Sequence, residues 1–214
     1  MRPKNSIDLS LYLVTDRKLA ANLTIEELVQ KAIEGGVTVV QLREKECSSQ
    51  KFYELALRLK KIMPAKIPLI INDRLDIALA VGASGLHLGQ SDLPAEVARK
   101  HLGPEAIIGL SVENFDQLKE AASLPVDYLA ISPVFATPTK TDTGPAWGLA
   151  GLKQARQLTD LPLVAIGGIN ESQALSVIKA GADGIAVVSA ICAAPNPREA
   201  ARKLRQLVEQ AKGK

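Results

Sequence analysis

The stretch Gly35-Gly36-Val37-Thr38-Val39-Val40-Gln41-Leu42-Arg43-Glu44-Lys45 holds a helix stop, a strand and a polar strand end in direct succession. Glycines end helices because they accept the left-handed conformation. Residues 37–41 are rich in β-branched side chains, which favour a strand. Arg43 and Lys45 then follow at alternate spacing, so an extended chain points them to the same face as Gln41. The entry from glycine into an aliphatic strand recurs at Gly82-Ala83-Ser84-Gly85-Leu86-His87 and at Gly181-Ala182-Asp183-Gly184-Ile185-Ala186. A unit of helix, glycine turn and buried strand is therefore repeated along the chain.

Working outward, the first strand is expected over 11–16. Thr24 opens a helix, with Glu27 completing a capping box. Ser48 or Ser49 starts the next helix, in which Phe52, Leu55, Ala56, Leu59 and Ile62 recur at helical spacing until Pro64. Strands are predicted over 68–71, 82–88, 106–110, 128–131, 163–166 and 184–188. Helices are predicted through residue 80, to about 102, and over 115–122 behind an Asn114 cap. Three more are expected over 149–158, 171–180 and 197–211. The longest irregular piece is 132–147, rich in Pro, Thr and Gly; a loop of that length is usually functional or mobile.

Eight strands alternating strictly with eight helices predict one (β/α)8 barrel domain over residues 1–214, an α/β fold. Continuous aliphatic strands belong to a parallel sheet covered on both faces, and eight βα units close it. An open doubly wound sheet is disfavoured, because no G-x-G-x-x-G follows the first strand.

Composition narrows the function. Apolar residues make up 47% of the chain and aromatics only 3%, so the core must be aliphatic. The net charge of +3 is mild and the basic residues are dispersed, with no pairing to exposed aromatics, so no nucleic-acid partner is expected. Cys47 and Cys192 have no metal-ligand spacing. No apolar run reaches membrane-spanning length and the N-terminus lacks a signal-peptide core, so a cytoplasmic protein without a membrane partner is expected.

Barrel active sites form at the C-terminal ends of strands. There the sequence puts Gln41, Arg43 and Lys45, then Asn72 and Asp73, Asp92, and Ser111. Thr137-Pro138-Thr139-Lys140, Gly167-Gly168 and Val188-Ser189 complete the set. A cationic row facing Asp73 and Asp92 suits a polyphosphate that arrives with magnesium. Glycines after strand seven and a small-residue turn after strand eight expose backbone N–H groups, which suits a phosphate monoester. Two anionic subsites are therefore expected. His87, inside strand four, is read as a satisfied barrel histidine, and His101 as a surface residue.

Over essentially its whole length the chain resembles the thiamine phosphate synthase family. The resemblance rests on Tyr12-Leu13-Val14-Thr15-Asp16, Gln41-Leu42-Arg43-Glu44-Lys45, Asn72-Asp73-Arg74 and His87-Leu88-Gly89-Gln90-Ser91-Asp92. Thr137-Pro138-Thr139-Lys140, Ala165-Ile166-Gly167-Gly168-Ile169 and Val187-Val188-Ser189-Ala190-Ile191 complete it. It implies a transferase joining 4-amino-2-methyl-5-(diphosphooxymethyl)pyrimidine to 4-methyl-5-(2-phosphooxyethyl)thiazole. It also implies Mg²⁺ held by Asp73 and Asp92. Contacts to the pyrimidine diphosphate would come from Gln41, Leu42, Arg43, Glu44, Lys45, Asn72, Ser111 and Lys140. Contacts to the thiazole phosphate would come from Thr137, Pro138, Thr139, Gly168, Val188 and Ser189. Arg43, Lys45, Ser111 and Lys140 would be the catalytic set. The chain departs from the pattern at Glu113, where many members carry His.

The chemistry so implied needs little acid–base work. Ring amino electrons stabilise the cation left when the CH₂–O bond breaks, cations stabilise the departing pyrophosphate, and the thiazole nitrogen needs positioning rather than activation. Three other readings are separable. A thiazole tautomerase would not need the diphosphate set. A Schiff-base lysine would need a desolvated setting, whereas Lys45 and Lys140 lie in polar stretches. A non-catalytic phosphometabolite-binding barrel would show no turnover.

Overall fold

The computed structural model describes residues 7–20, 23–137 and 144–213. Its parallel strands are β1 (Leu11–Val14), β2 (Val39–Leu42), β3 (Leu69–Asn72), β4 (Gly85–Leu88), β5 (Ile107–Val112), β6 (Tyr128–Ile131), β7 (Leu163–Ile166) and β8 (Gly184–Val187). They pair in sequence order and close into a (β/α)8 barrel. Closure sets Tyr12 of β1 opposite Ala186 of β8.

The alternation of side chains across each strand splits the core in two. Leu11, Leu13, Val40, Leu42, Ile71, Leu129, Ala165 and Ile185 face outward and pack beneath the helices. Tyr12, Val14, Val39, Ile70, Tyr128, Val164 and Ala186 fill the barrel interior. Strands buried on both faces explain why the sequence reads as unbroken aliphatic runs.

The surrounding helices are α1 (Ile25–Glu34), α2 (Ser49–Ile62), α3 (Leu75–Val81), α4 (Ala95–Leu102), α5 (Phe115–Ala121), α6 (Gly148–Leu158), α7 (Glu171–Lys179), α8 (Ser189–Cys192) and α9 (Pro197–Ala211). Their starts follow side-chain chemistry. Thr24 and Glu27 form the expected capping box, and Ser48 and Asn114 cap α2 and α5. Asn170 and Gln173 form a second box at α7, which the sequence reading did not single out. Each cap satisfies an N–H that the helix itself leaves orphaned.

Strict alternation fails at one point. The turn expected after β8 is the one-turn helix α8, so two helices follow that strand. Small residues permit either conformation. In the helical turn Ile191 and Cys192 both pack into the outer core.

Two arginines tie loops at the N-terminal ends of the strands. Arg99 of α4 donates to the carbonyls of Pro125 (3.1 Å) and Ala106 (2.5 Å) and to Asp127 Oδ2 (2.8 Å). Asp127 in turn accepts the Ile108 N–H at 2.6 Å. Arg156 of α6 repeats the device: it reaches Asp183 Oδ2 (3.1 Å), which accepts the Leu163 N–H at 2.8 Å. Both ties lie at the end of the barrel remote from the polar strand tops. Among the described residues no helix is long and apolar enough to cross a membrane.

Candidate active site

The C-terminal ends of the strands enclose a cavity of ≈ 410 Å³. Gln41, Arg43 and Lys45 all line it, as their alternate spacing requires. Leu42 and Glu44, expected in the same contact run, do not. Leu42 is wholly buried under the helices, and Glu44 turns outward to accept two bonds from Arg17, at 3.2 and 3.0 Å. Strand parity aims Gln41 inward and Leu42 outward; Arg43, Glu44 and Lys45 follow beyond the end of β2.

Asn72, Asp73 and Asp92 line the same cavity. Asp73 has φ 61, a left-handed conformation unusual outside glycine. Its N–H donates to the His87 carbonyl at 2.9 Å, which ties this backbone to β4. The Asp73 carboxylate pairs with the Lys45 ammonium. Asp92 Oδ2 accepts the Gly89 N–H at 2.6 Å. Burial raises the Asp92 pKa; the Gly89 bond opposes this, and the adjoining Asp73 carboxyl reinforces it.

Two carboxylates forced together in a half-buried site attract a proton or a cation. Among the described residues no group of three or more His, Cys, Asp or Glu gathers to hold a metal. A pair nevertheless fits magnesium, which binds through one or two carboxylates and completes its shell with water and substrate phosphate. Neither cysteine lines the cavity; burial pushes the Cys192 thiol up to about 12, and it raises that of Cys47 as well.

Arg43 lies 3.8 Å from Asp16, and its backbone N–H is held by Thr15 Oγ1 at 3.1 Å. Ser111 and Glu113 come from β5 and its end, and both line the cavity. Gln90 Nε2 bonds the Ser111 carbonyl at 2.6 Å, fixing the β4 loop against β5.

A second cavity of ≈ 80 Å³ is lined by Thr137, Gly167, Gly168, Val188 and Ser189. Ser132, Ile166, Ala186 and Val188 line both cavities, so the two adjoin. Gly168 has φ +65, and a Cβ there would sit 2.8 Å from the Ala136 carbonyl oxygen; the position is closed to other residues without strain. Val188 precedes α8 and Ser189 opens it. Pro138, Thr139 and Lys140 lie outside the described residues.

The sequence reading named Gln41, His87 and Ser111 of the cavity floor but gave no role to the two tyrosines that connect them. Gln41 Nε2 donates to Tyr12 Oη (2.9 Å), and Tyr12 Oη lies 2.8 Å from Tyr128 Oη. Tyr128 Oη lies 2.9 Å from His87 Nδ1, and His87 Nε2 lies 2.9 Å from Ser111 Oγ. His87 is thus the satisfied barrel histidine expected, while Tyr12 and Tyr128 were not singled out. The available signal was polarity: two tyrosines inside strands of an aliphatic barrel must find partners for their hydroxyls. His101 is exposed in the last turn of α4.

The family model described as thiamine monophosphate synthase matches residues 11–191. The thiamine-phosphate synthase of Albidiferax ferrireducens is 57% identical over 202 residues, covering 94% of this chain and 92% of that protein. The thiamine-phosphate synthase of Vibrio parahaemolyticus is 54% identical over 200 residues, covering 93% and 98%. The solved thiamine phosphate pyrophosphorylase of Pyrococcus furiosus superposes with TM-score 0.87 at 39% identity, covering 96% of this chain and 98% of that one. A 3-hexulose-6-phosphate synthase structure, at TM-score 0.69 and 20% identity, shares the fold alone. Matched from β1 to α8, and to these enzymes along nearly all of its length, the chain belongs to the thiamine monophosphate synthase family.

Proposed function

We propose that this chain joins 4-amino-2-methyl-5-(diphosphooxymethyl)pyrimidine to 4-methyl-5-(2-phosphooxyethyl)thiazole, forming thiamine phosphate and releasing pyrophosphate. The observation that carries the reading is the pair of adjoining cavities. The larger combines cations with two clustered carboxylates; the smaller is walled by glycines and the start of a helix. A diphosphate and a monophosphate held side by side is what joining two phosphorylated rings requires.

In this reading the pyrimidine diphosphate occupies the larger cavity, with Gln41, Asn72 and Ser111 around it and Arg43 and Lys45 toward the leaving group. Lys140 adds a further cation by resemblance. Asp73 and Asp92 would hold a magnesium ion, whose positive charge would offset the negative charge that grows on the leaving group. The thiazole phosphate rests in the smaller cavity, against Gly167, Gly168 and the Val188–Ser189 turn, where the glycines let a phosphate approach the backbone closely. Thr137, Val188 and Ser189 border it, with Pro138 and Thr139 following in the sequence.

The reaction then proceeds by separation of charge. The exocyclic CH₂–O bond breaks, the pair of electrons leaves with pyrophosphate, and the amino-substituted ring stabilises the carbocation. Arg43 and Lys45 bind the departing oxygens more strongly as their charge grows, which lowers the barrier rather than the ground state. The thiazole nitrogen attacks the cation with its own lone pair, so no general base is needed. The test is pyrophosphate release with both substrates together and each alone. Release only with the pair supports synthesis; no release with the pair overturns it.

A further inference from the structure

The hydrogen-bond chain beneath the larger cavity crosses the barrel from β2 through β1, β6 and β4 to β5. Two of the chain's three tyrosines form its centre. Tyr12 and Tyr128 meet edge to face, with ring centroids 5.9 Å apart, and His87 stacks on Tyr128 at 5.6 Å. Space for this is built into the strand opposite. Gly109 is the register partner of Tyr128, and a Cβ at Gly109 would lie 2.0 Å from Tyr128 Cζ and 2.3 Å from its hydroxyl. Only glycine at that position lets the phenol cross β5 to reach His87.

We propose that Tyr128 is a positioning residue, which sets the His87 tautomer and through it turns the Ser111 hydroxyl proton into the cavity. The inference rests on the functional reading above for its kinetic consequence, though not for its structural one. Each phenol has one proton to give, and a neutral imidazole has one N–H and one lone pair. With the Gln41 amide donating to Tyr12, the Tyr12 proton goes to Tyr128 and the Tyr128 proton to His87 Nδ1. His87 then carries its proton on Nε2 and donates to Ser111 Oγ. Ser111, having accepted, has its own O–H left for an acceptor on the bound substrate.

Reversing the chain with Gln41 still donating makes Tyr12 accept from both neighbours. Its proton would then have no acceptor in the chain, although Tyr12 is 1% exposed. An unsatisfied buried donor is costly, which favours the first polarity. Burial holds both phenols neutral, Tyr12 and Tyr128 alike having raised pKa values, so each keeps the proton it must pass on. A donor at Ser111 faces a substrate oxygen better as negative charge grows on it. The consequence should therefore fall on turnover more than on binding.

Directionality gives an unambiguous experiment. ¹⁵N-histidine protein, with signals assigned against a His101→Asn variant, reports which His87 nitrogen is protonated, with no substrate present. Wild type should show the Nε2–H tautomer. Tyr12→Phe should keep it, because Tyr128 still donates to Nδ1. Tyr128→Phe, which preserves ring volume, removes the donor to Nδ1 and should move the Nδ1 signal toward that of an unbonded ring nitrogen, leaving Nε2–H less firmly held on Ser111. In steady state Tyr128→Phe should lower kcat about tenfold with the KM of each substrate nearly unchanged, as expected for one lost hydrogen bond at a reacting charge. An Nδ1–H tautomer or an imidazolium in wild type overturns the proposal. So does Tyr128→Phe with either its Nδ1 signal or its kcat unmoved. Wild-type protein that forms no thiamine phosphate would sink the functional reading instead, and leave the tautomer result standing.

Discussion

Lys45, beyond the end of β2, pairs its ammonium with the carboxylate of Asp73, just beyond the end of β3. The cation proposed for the leaving group and a carboxylate proposed for the metal thus pair with each other. A metal held by Asp73 would compete with this ammonium, and the proposed placement of Lys45 on the diphosphate would then depend on the metal.

Lys45→Met should accordingly separate two effects. Metal binding without substrate should tighten, since Asp73 no longer holds a competing ammonium. Turnover should fall by about 10²-fold, the scale of removing one electrostatic stabiliser. Calorimetric titration with Mn²⁺ or Mg²⁺ and single-turnover product formation measure the two. Weaker metal binding, or a rate within about threefold of wild type, would contradict this coupling.

Asp73→Asn and Asp92→Asn should each raise the magnesium concentration needed for half-maximal rate and lower turnover, because a hard cation loses an anionic oxygen. An amide oxygen at position 92 can still accept the Gly89 N–H, so the loop should keep its shape. Full wild-type activity in excess chelator would remove the metal from the mechanism.

Gly168→Val should weaken thiazole phosphate binding and spare the pyrimidine diphosphate. The φ of +65 strains any side chain, and its Cβ would press on the backbone at Phe135 and Ala136, beside the smaller cavity. Separate binding titrations with each substrate decide it: equal loss of both affinities in a folded variant would argue against two subsites.

Arg99→Met should lower stability by about 1.5–3 kcal/mol, the scale of hydrogen bonds to a charged group. Its guanidinium holds carbonyls of two loops, 103–106 and 125–127, and the Asp127 carboxylate at the barrel end remote from the cavities. Thermal unfolding should shift down by several degrees while kcat at 25 °C stays at the wild-type value. A stable but inactive variant would mean that this end communicates with the site.

The barrel was legible in the sequence because its signals are local. Glycine turns, capping residues such as Thr24 and Asn114, and aliphatic runs recur with a fixed period, and that period selects a closed parallel sheet. Strand parity likewise determined that Gln41 faces inward and Leu42 outward. Beyond the end of β2 the fold itself turns Arg43 and Lys45 into the cavity and leaves Glu44 on Arg17. Other features depend on register and closure, which bring together residues far apart in the chain. Only the folded barrel sets Lys45 against Asp73, fixes Asp73 at a positive φ, and joins the two cavities through Ile166, Ala186 and Val188. The line from Gln41 through Tyr12, Tyr128 and His87 to Ser111 crosses five strands. No periodicity encodes it, because a hydrogen bond between strands exists only once their register has placed both partners within reach.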